Sequence, residues 1–332
     1  MLINKSIALL GRLRCVLLLA GTLGLFACSP PPPIVLGFVG DLSGRVADLG
    51  VEGRNGATLA VELRNKAGGV KGRRVELVAE DDQQNPAVAR QVVGKLIDLK
   101  VDALIGPMTS AMAMVVVPLA NQAQLVTVSP TVTTNSLSGI DDYFFRVLPA
   151  TSRYAKKDAD YHFARLGLRR IAAVIDVNNR AYTESWLADY RAAFAAGGGQ
   201  VVDRVDFSSS GGVLFADLAR RLLASKPDGI LLLANAVDVA MLCQHLRKLN
   251  ASIPLTTSEW AATEQLIEVG GRSVEGIVIA QFLDRQSTQP AFLTFRQNYL
   301  DRFGKLPGFA GVTAFDATNA VLEAIENQAP GQ

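Results

Sequence analysis

Histidine is scarce in this sequence, with two residues in 332, and cysteine nearly as scarce, with three. Each shortage closes off a kind of chemistry. His162 and His245 both stand in stretches of helical pattern with Arg, Lys or apolar neighbours, which reads as helix packing rather than acid–base catalysis. No His/Cys group has metal-ligand spacing, so no metal site is expected. Asp81-Asp82 is a carboxylate pair closing a strand, a place where carboxylates more often cap and anchor loops. Gly68-Gly69 and Gly197-Gly198-Gly199 fit neither a phosphate-binding loop nor a dinucleotide fingerprint and read as helix ends. A nucleophile elbow is missing as well. The sequence therefore offers no catalytic residues and calls for no cofactor.

Positive charge in excess is lacking too. The net charge is +2, and Lys5, Arg12 and Arg14 supply three positive charges to a leader without acids, so the remainder carries −1. With no basic stripe interleaved with aromatics, nucleic-acid binding is not expected. Residues 16–26 form an uncharged apolar run behind those three cations, the pattern of a secretory signal over residues 1–27 and shorter than a membrane span. The run ends in Leu25-Phe26-Ala27-Cys28, which looks like the bacterial lipobox and implies lipidation of Cys28; simple cleavage after Ala27 is the other reading. Residues 28–33, Cys-Ser followed by four prolines, make a stiff tether. Of the cysteines, Cys15 leaves with the signal and Cys243 remains as a small buried hydrophobe, so no intrachain disulfide is expected.

What is present begins at residue 34. Residues 34–39 are a short apolar run, as a strand buried on both faces requires. An Asp41-Leu42-Ser43-Gly44 turn leads into a helix with Ala57, Ala60, Val61 and Leu63 on one face, ended by Gly68-Gly69. A second strand over 75–79 runs into Glu80-Asp81-Asp82. This is a βαβ unit, whose strand ends are ligand sites in open α/β sheets. The alternation continues: helix from Asn85-Pro86, strand 103–105, helix from Ser110, strands 125–128 and 144–147. A second series has helices 154–166, 182–195, 214–224 and 237–249 between strands 171–177, 201–205, 229–233, 253–256 and 274–279, followed by helices 292–303 and 312–326. Two βα series predict two similar lobes of parallel sheet flanked by helices, with the chain passing between them near 148–152.

Polar residues recur at the predicted strand ends. Ser110 opens a helix whose exposed amides suit a carboxylate. Residues 129–134, Ser-Pro-Thr-Val-Thr-Thr, bring hydroxyls to the same sheet edge; Glu259 suits an ammonium, and Tyr182 a covering ring. Each also has a plain structural use: caps for the Ser and Thr, a solvated loop charge for Glu259, helix packing for Tyr182.

Gly40-Asp41-Leu42-Ser43-Gly44, residues 65–73 with their Gly-Gly-Val-Lys-Gly core, and Asp81-Asp82-Gln83, in that order, resemble the branched-chain amino-acid receptors of ABC importers, in the type I periplasmic binding protein family. The resemblance covers the chain from about residue 33. It implies an α/β fold of two Rossmann-like lobes joined by a hinge. A return near 282–286 would give a first lobe of 34–149 plus 284–332 and a second of 150–283. Family members usually continue with strand material that crosses the hinge again, beyond the point corresponding to Gln332. The resemblance also implies a site: Ser110, Thr131 and Thr133 holding an amino acid's carboxylate and amino group from the first lobe, Tyr182 and Glu259 closing from the second. Ser43 would sit at the rim, with Trp260 and Phe309 as apolar wall. Asn235 stands where aliphatic-amino-acid receptors often have Tyr, and Leu49 near a position often aromatic. The implied function is a solute-binding protein, not an enzyme, delivering an amino acid (aliphatic or branched-chain) or analogue to an ABC permease. It would be lipid-anchored through Cys28 at the periplasmic face of a bacterial membrane. A sensory lipoprotein coupled to a signalling receptor is the alternative.

Overall fold

A computed structural model describes residues 31–281 and 283–329. The signal and Cys28 lie outside them. The described chain forms two five-stranded sheets, every pairing parallel. The first is built from β1 (Ile34–Gly40), β2 (Val75–Asp81), β3 (Ala103–Ile105), β4 (Thr127–Ser129) and β5 (Phe144–Arg146), in the order β2-β1-β3-β4-β5. Helices α1 (Ala47–Lys66), α2 (Pro86–Asp98) and α3 (Ser110–Gln122) connect its strands. β1 is almost wholly buried, as its apolar run requires.

Helix α4 (Thr151–Ala164) opens the second lobe. Its strands are β6 (Arg170–Asp176), β7 (Gln200–Phe207), β8 (Gly229–Leu233), β9 (Leu255–Thr257) and β10 (Val278–Ile279), in the order β10-β9-β8-β6-β7. Helices α5 (Arg180–Ala196), α6 (Phe215–Ala224), α7 (Ala236–Leu249) and α8 (Glu264–Gly270) join them. The chain then returns: α9 (Pro290–Phe303) and α10 (Phe309–Asn327) pack on α1. The α1–α10 crossing is close. A Cβ on Gly56 would stand 2.1 Å from the Gly311 carbonyl oxygen, so the contact requires glycine there.

The two-lobe parallel α/β architecture expected from the sequence is the one observed. One strand differs. The strand expected over 274–279 is reduced to Val278–Ile279, because residues Gly271–Val274 form a 3₁₀ turn and Gly276 takes a left-handed φ of +73°. Helix α8 was not anticipated.

The largest apolar cluster does not stop at the lobe boundary. It runs from Phe38 and Met108 in the first lobe to Tyr182, Trp186 and Trp260 in the second, with Phe309 and Ala310 of α10. The lobes are thus closed on one another, and the site lies where their strand ends meet.

Candidate functional site

The first wall is built at the ends of β3 and β4. After β3 the chain turns at Gly106, whose φ is +114° and where a Cβ would stand 2.2 Å from the Val39 carbonyl oxygen. This delivers Thr109 as the N-cap of α3, its hydroxyl bonding to Gln84, and Ser110 as the first helical residue. The amides of a first helical turn have no partner within the helix. One is taken across the cleft: the Ala111 N–H donates to Asn179 Oδ1 at 2.9 Å. Ser110 Oγ accepts from the Thr134 N–H at 3.3 Å.

Ser129 ties the two loops together. Its hydroxyl donates to the Pro107 carbonyl at 2.8 Å and accepts from the N–H of Val132 at 3.0 Å. Thr131 donates its hydroxyl to the Met108 carbonyl. Thr133 is buried, and its Oγ1 has no hydrogen-bond partner.

The second wall comes from turns after β6 and β9. Asn179 ends a 3₁₀ turn, Val177–Asn179, and its side chain makes no bond to its own helix. Tyr182 follows in the first turn of α5, buried, its ring edge-on to Trp260 with centroids 5.6 Å apart. Glu259 opens a second 3₁₀ turn, Glu259–Ala261. Its Oε2 accepts the indole N–H of Trp186 at 3.1 Å. Its Oε1 is buried with no partner. The Tyr182 hydroxyl lies close to the carboxylate without a well-aligned hydrogen bond.

Burial dominates the electrostatics. It pushes the Glu259 carboxyl up to about 7, against the smaller opposing effect of its hydrogen bonds. It raises Tyr182 well above the usual phenol value, and the Glu259 charge adds to that. Behind Glu259, α5 stacks Trp186, Tyr190 and Phe194 at helical spacing. There His162 Nδ1 meets the Tyr190 hydroxyl at 2.9 Å, and burial holds the imidazole down at about 4. His162 is a neutral packing residue. His245 stacks on Phe215, away from the cleft.

Between the walls lies a small, tightly closed cavity. Ser110, Thr131, Asn179, Tyr182 and Glu259 supply its polar lining along with Thr109; Leu49, Met108, Leu148, Trp260 and Phe309 supply the apolar part. Of the residues singled out from sequence, Ser110, Thr131, Tyr182, Glu259, Leu49, Trp260 and Phe309 are thus brought together. Thr133 stands just outside the lining. Ser43 does not line the cavity; it donates to Asp81 at 2.6 Å and fixes the β1–α1 loop. Asn235 does not line it either, being committed as the N-cap of α7. Asn179 was missed, because an Asn before a helix reads as a cap, and only the partner lobe reveals its other use.

The model of the periplasmic binding protein family matches residues 33–331. The chain belongs to this family. Its curated relatives include a Leu/Ile/Val-binding protein homologue of Brucella melitensis, 25% identical over 80% of this chain and 71% of that protein, and the Leu/Ile/Val-binding protein of Escherichia coli, 24% identical over 75% and 67%. A leucine-binding protein of Thermotoga maritima superposes with a TM-score of 0.82 at 25% identity, covering 88% of this chain and 83% of its own. A solute-binding protein of R. palustris in complex with benzoate superposes at 0.80 and 22% identity, covering 89% and 81%, a likeness of fold alone. This periplasmic binding protein is of type I, and the relatives it resembles are named for binding leucine, isoleucine and valine. A solved protein of Sphaerobacter thermophilus, 25% identical with a TM-score of 0.76 over 89% of this chain and 81% of its own, is an ABC transporter substrate-binding protein, and a periplasmic location goes with the family.

Proposed function

We propose that the cleft binds a small α-amino acid, aliphatic in side chain, and that the closed complex delivers it to an ABC permease. One observation carries the reading. Glu259 is buried with Oε1 unpartnered, on the wall facing the α3 N-terminus. An unpaired buried carboxylate is costly and calls for a cationic donor. A helix start with a serine hydroxyl calls for an anion. A zwitterion answers both demands within one small cavity.

In this reading the ligand carboxylate sits at Ser110 and the α3 amides, with Thr131 and Thr133 alongside. Its ammonium lies between Glu259 and Tyr182. Leu49, Met108, Trp260 and Phe309 surround the side chain. Hinge closure follows because the ligand touches both walls. Benzoate, the ligand of one structural neighbour, has no group for Glu259 and is disfavoured on that ground. The chain reaches the membrane through a lipid on Cys28 and the proline tether.

Calorimetric titration with a panel of amino acids and aromatic acids tests the proposal. Saturable binding of an aliphatic amino acid is expected, lost on Glu259→Gln. Binding of benzoate but of no amino acid refutes it.

A further inference from the structure

Arg45 and Asp238 meet across the cleft. Arg45 stands in the β1–α1 loop of the first lobe and Asp238 in the first turn of α7 in the second, 193 residues away, and they form an ion pair. Asp238 is fully buried, whereas the Arg45 side chain is 44% exposed. Asn235 holds the carboxylate in place. Its Nδ2 donates to Asp238 Oδ2 at 2.7 Å, and its Oδ1 accepts the Asp238 N–H at 3.0 Å. The free oxygen of Asp238 is left facing Arg45.

The contact joins the lobes with nothing between them. Opening the lobes separates the two charges and rehydrates both. Closing them buries the carboxylate with an amide donor and a guanidinium, a charge-assisted arrangement of the stronger kind. Half of the pair stays in contact with water, so added salt weakens it. A ligand shifts an open–closed equilibrium only by its own preference for the closed form, so any closure already present raises its apparent affinity.

We infer that Asn235 is a positioning residue of an Arg45–Asp238 latch that favours the closed lobes before ligand arrives. A buried Asn at the end of β8, outside the cavity, then acts on binding through Asp238 rather than by touching ligand. The inference does not depend on which ligand binds.

Small-angle X-ray scattering of the chain without its leader, refolded from denaturant to strip any bound solute, tests the latch. The wild type is expected to be compact at low salt and to expand as sodium chloride is raised. Arg45→Gln is expected to be expanded at every salt concentration, with the closed fraction lowered roughly tenfold, as for loss of one charge-assisted bond. Arg45→Lys should keep most of the compaction. Asn235→Ser retains a helix-capping hydroxyl but not the amide donor, and should expand the protein with its thermal midpoint unchanged. An expanded wild type at low salt, or Arg45→Gln as compact as wild type, overturns the inference. Either result leaves the amino-acid reading standing, since titration decides that separately.

Discussion

Trp186 donates its indole N–H to Oε2 of Glu259 at 3.1 Å, while Oε1 of the same carboxylate is buried without a donor. Half of the group is satisfied by the protein and half is left over.

The unsatisfied half makes binding pH-dependent. Burial holds the carboxyl at about 7 in the closed protein. Between the ordinary carboxylate value and 7 the folded chain keeps a proton that the unfolded chain has lost. Stability therefore falls as pH rises through that window, and Glu259→Gln should remove one proton's share of the fall in chemical denaturation. Amino-acid affinity should run the other way, because the ammonium needs the ionised form: about tenfold weaker per pH unit below 7 and level above it. Titrations in buffers of differing ionisation enthalpy should show one proton released near pH 6; no release counts against Glu259 as the ammonium partner.

Thr133 separates ligand contact from fold support. Its Oγ1 is buried and unpartnered. Replacing an unsatisfied hydroxyl by a methyl costs the ligand-free protein nothing and stabilises it by up to about 1 kcal/mol. Thr133→Val should therefore hold or raise the thermal midpoint while weakening amino-acid binding roughly tenfold, the value of one hydrogen bond. A lower midpoint with unchanged affinity would assign the hydroxyl to structure.

The α1–α10 crossing offers a stability test. Gly56→Ala drives a methyl against the Gly311 backbone and should cost about 3 kcal/mol through overpacking. Gly94, inside α2, has nothing within 4 Å of a Cβ position. Gly94→Ala should stabilise by about 1 kcal/mol, since only helix propensity changes. Urea denaturation of the pair measures both. Equal effects would mean that α10 yields at the crossing.

Cys28 bears on location. With a lipid on its sulfur and amino group the full-length protein should fractionate with membranes and take up labelled fatty acid, and Cys28→Ser should lose the label. Label retained by the serine variant would rule the anchor out.

The opening βαβ unit was legible because its signals are local: an apolar run, a periodic helix, and Gly68-Gly69 at the helix end. The second sheet's edge was not. A two-residue strand such as β10 carries no periodicity, and the left-handed turn at Gly276 is invisible beside an apolar run. The site divides the same way. Ser110, Thr131, Tyr182 and Glu259 follow strands, and strand ends converge in parallel sheets whatever their partners. Asn179 and Asn235 also precede helices, but their uses depend on Ala111, 68 residues away, and on Arg45 by way of Asp238. Nothing local separates an Asn that caps from an Asn that reaches across a cleft.

Helix α10 seats on α1 at the Gly56–Gly311 crossing, and everything needed for the second sheet is spelled between them. Emerging from a ribosome or a translocation pore, residues 151–279 are complete while the first sheet still lacks its cover. The inner lobe has its whole sheet in hand before the outer one can close its core. The first helix made waits longest for its partner, since α10 is synthesised only after the whole second sheet.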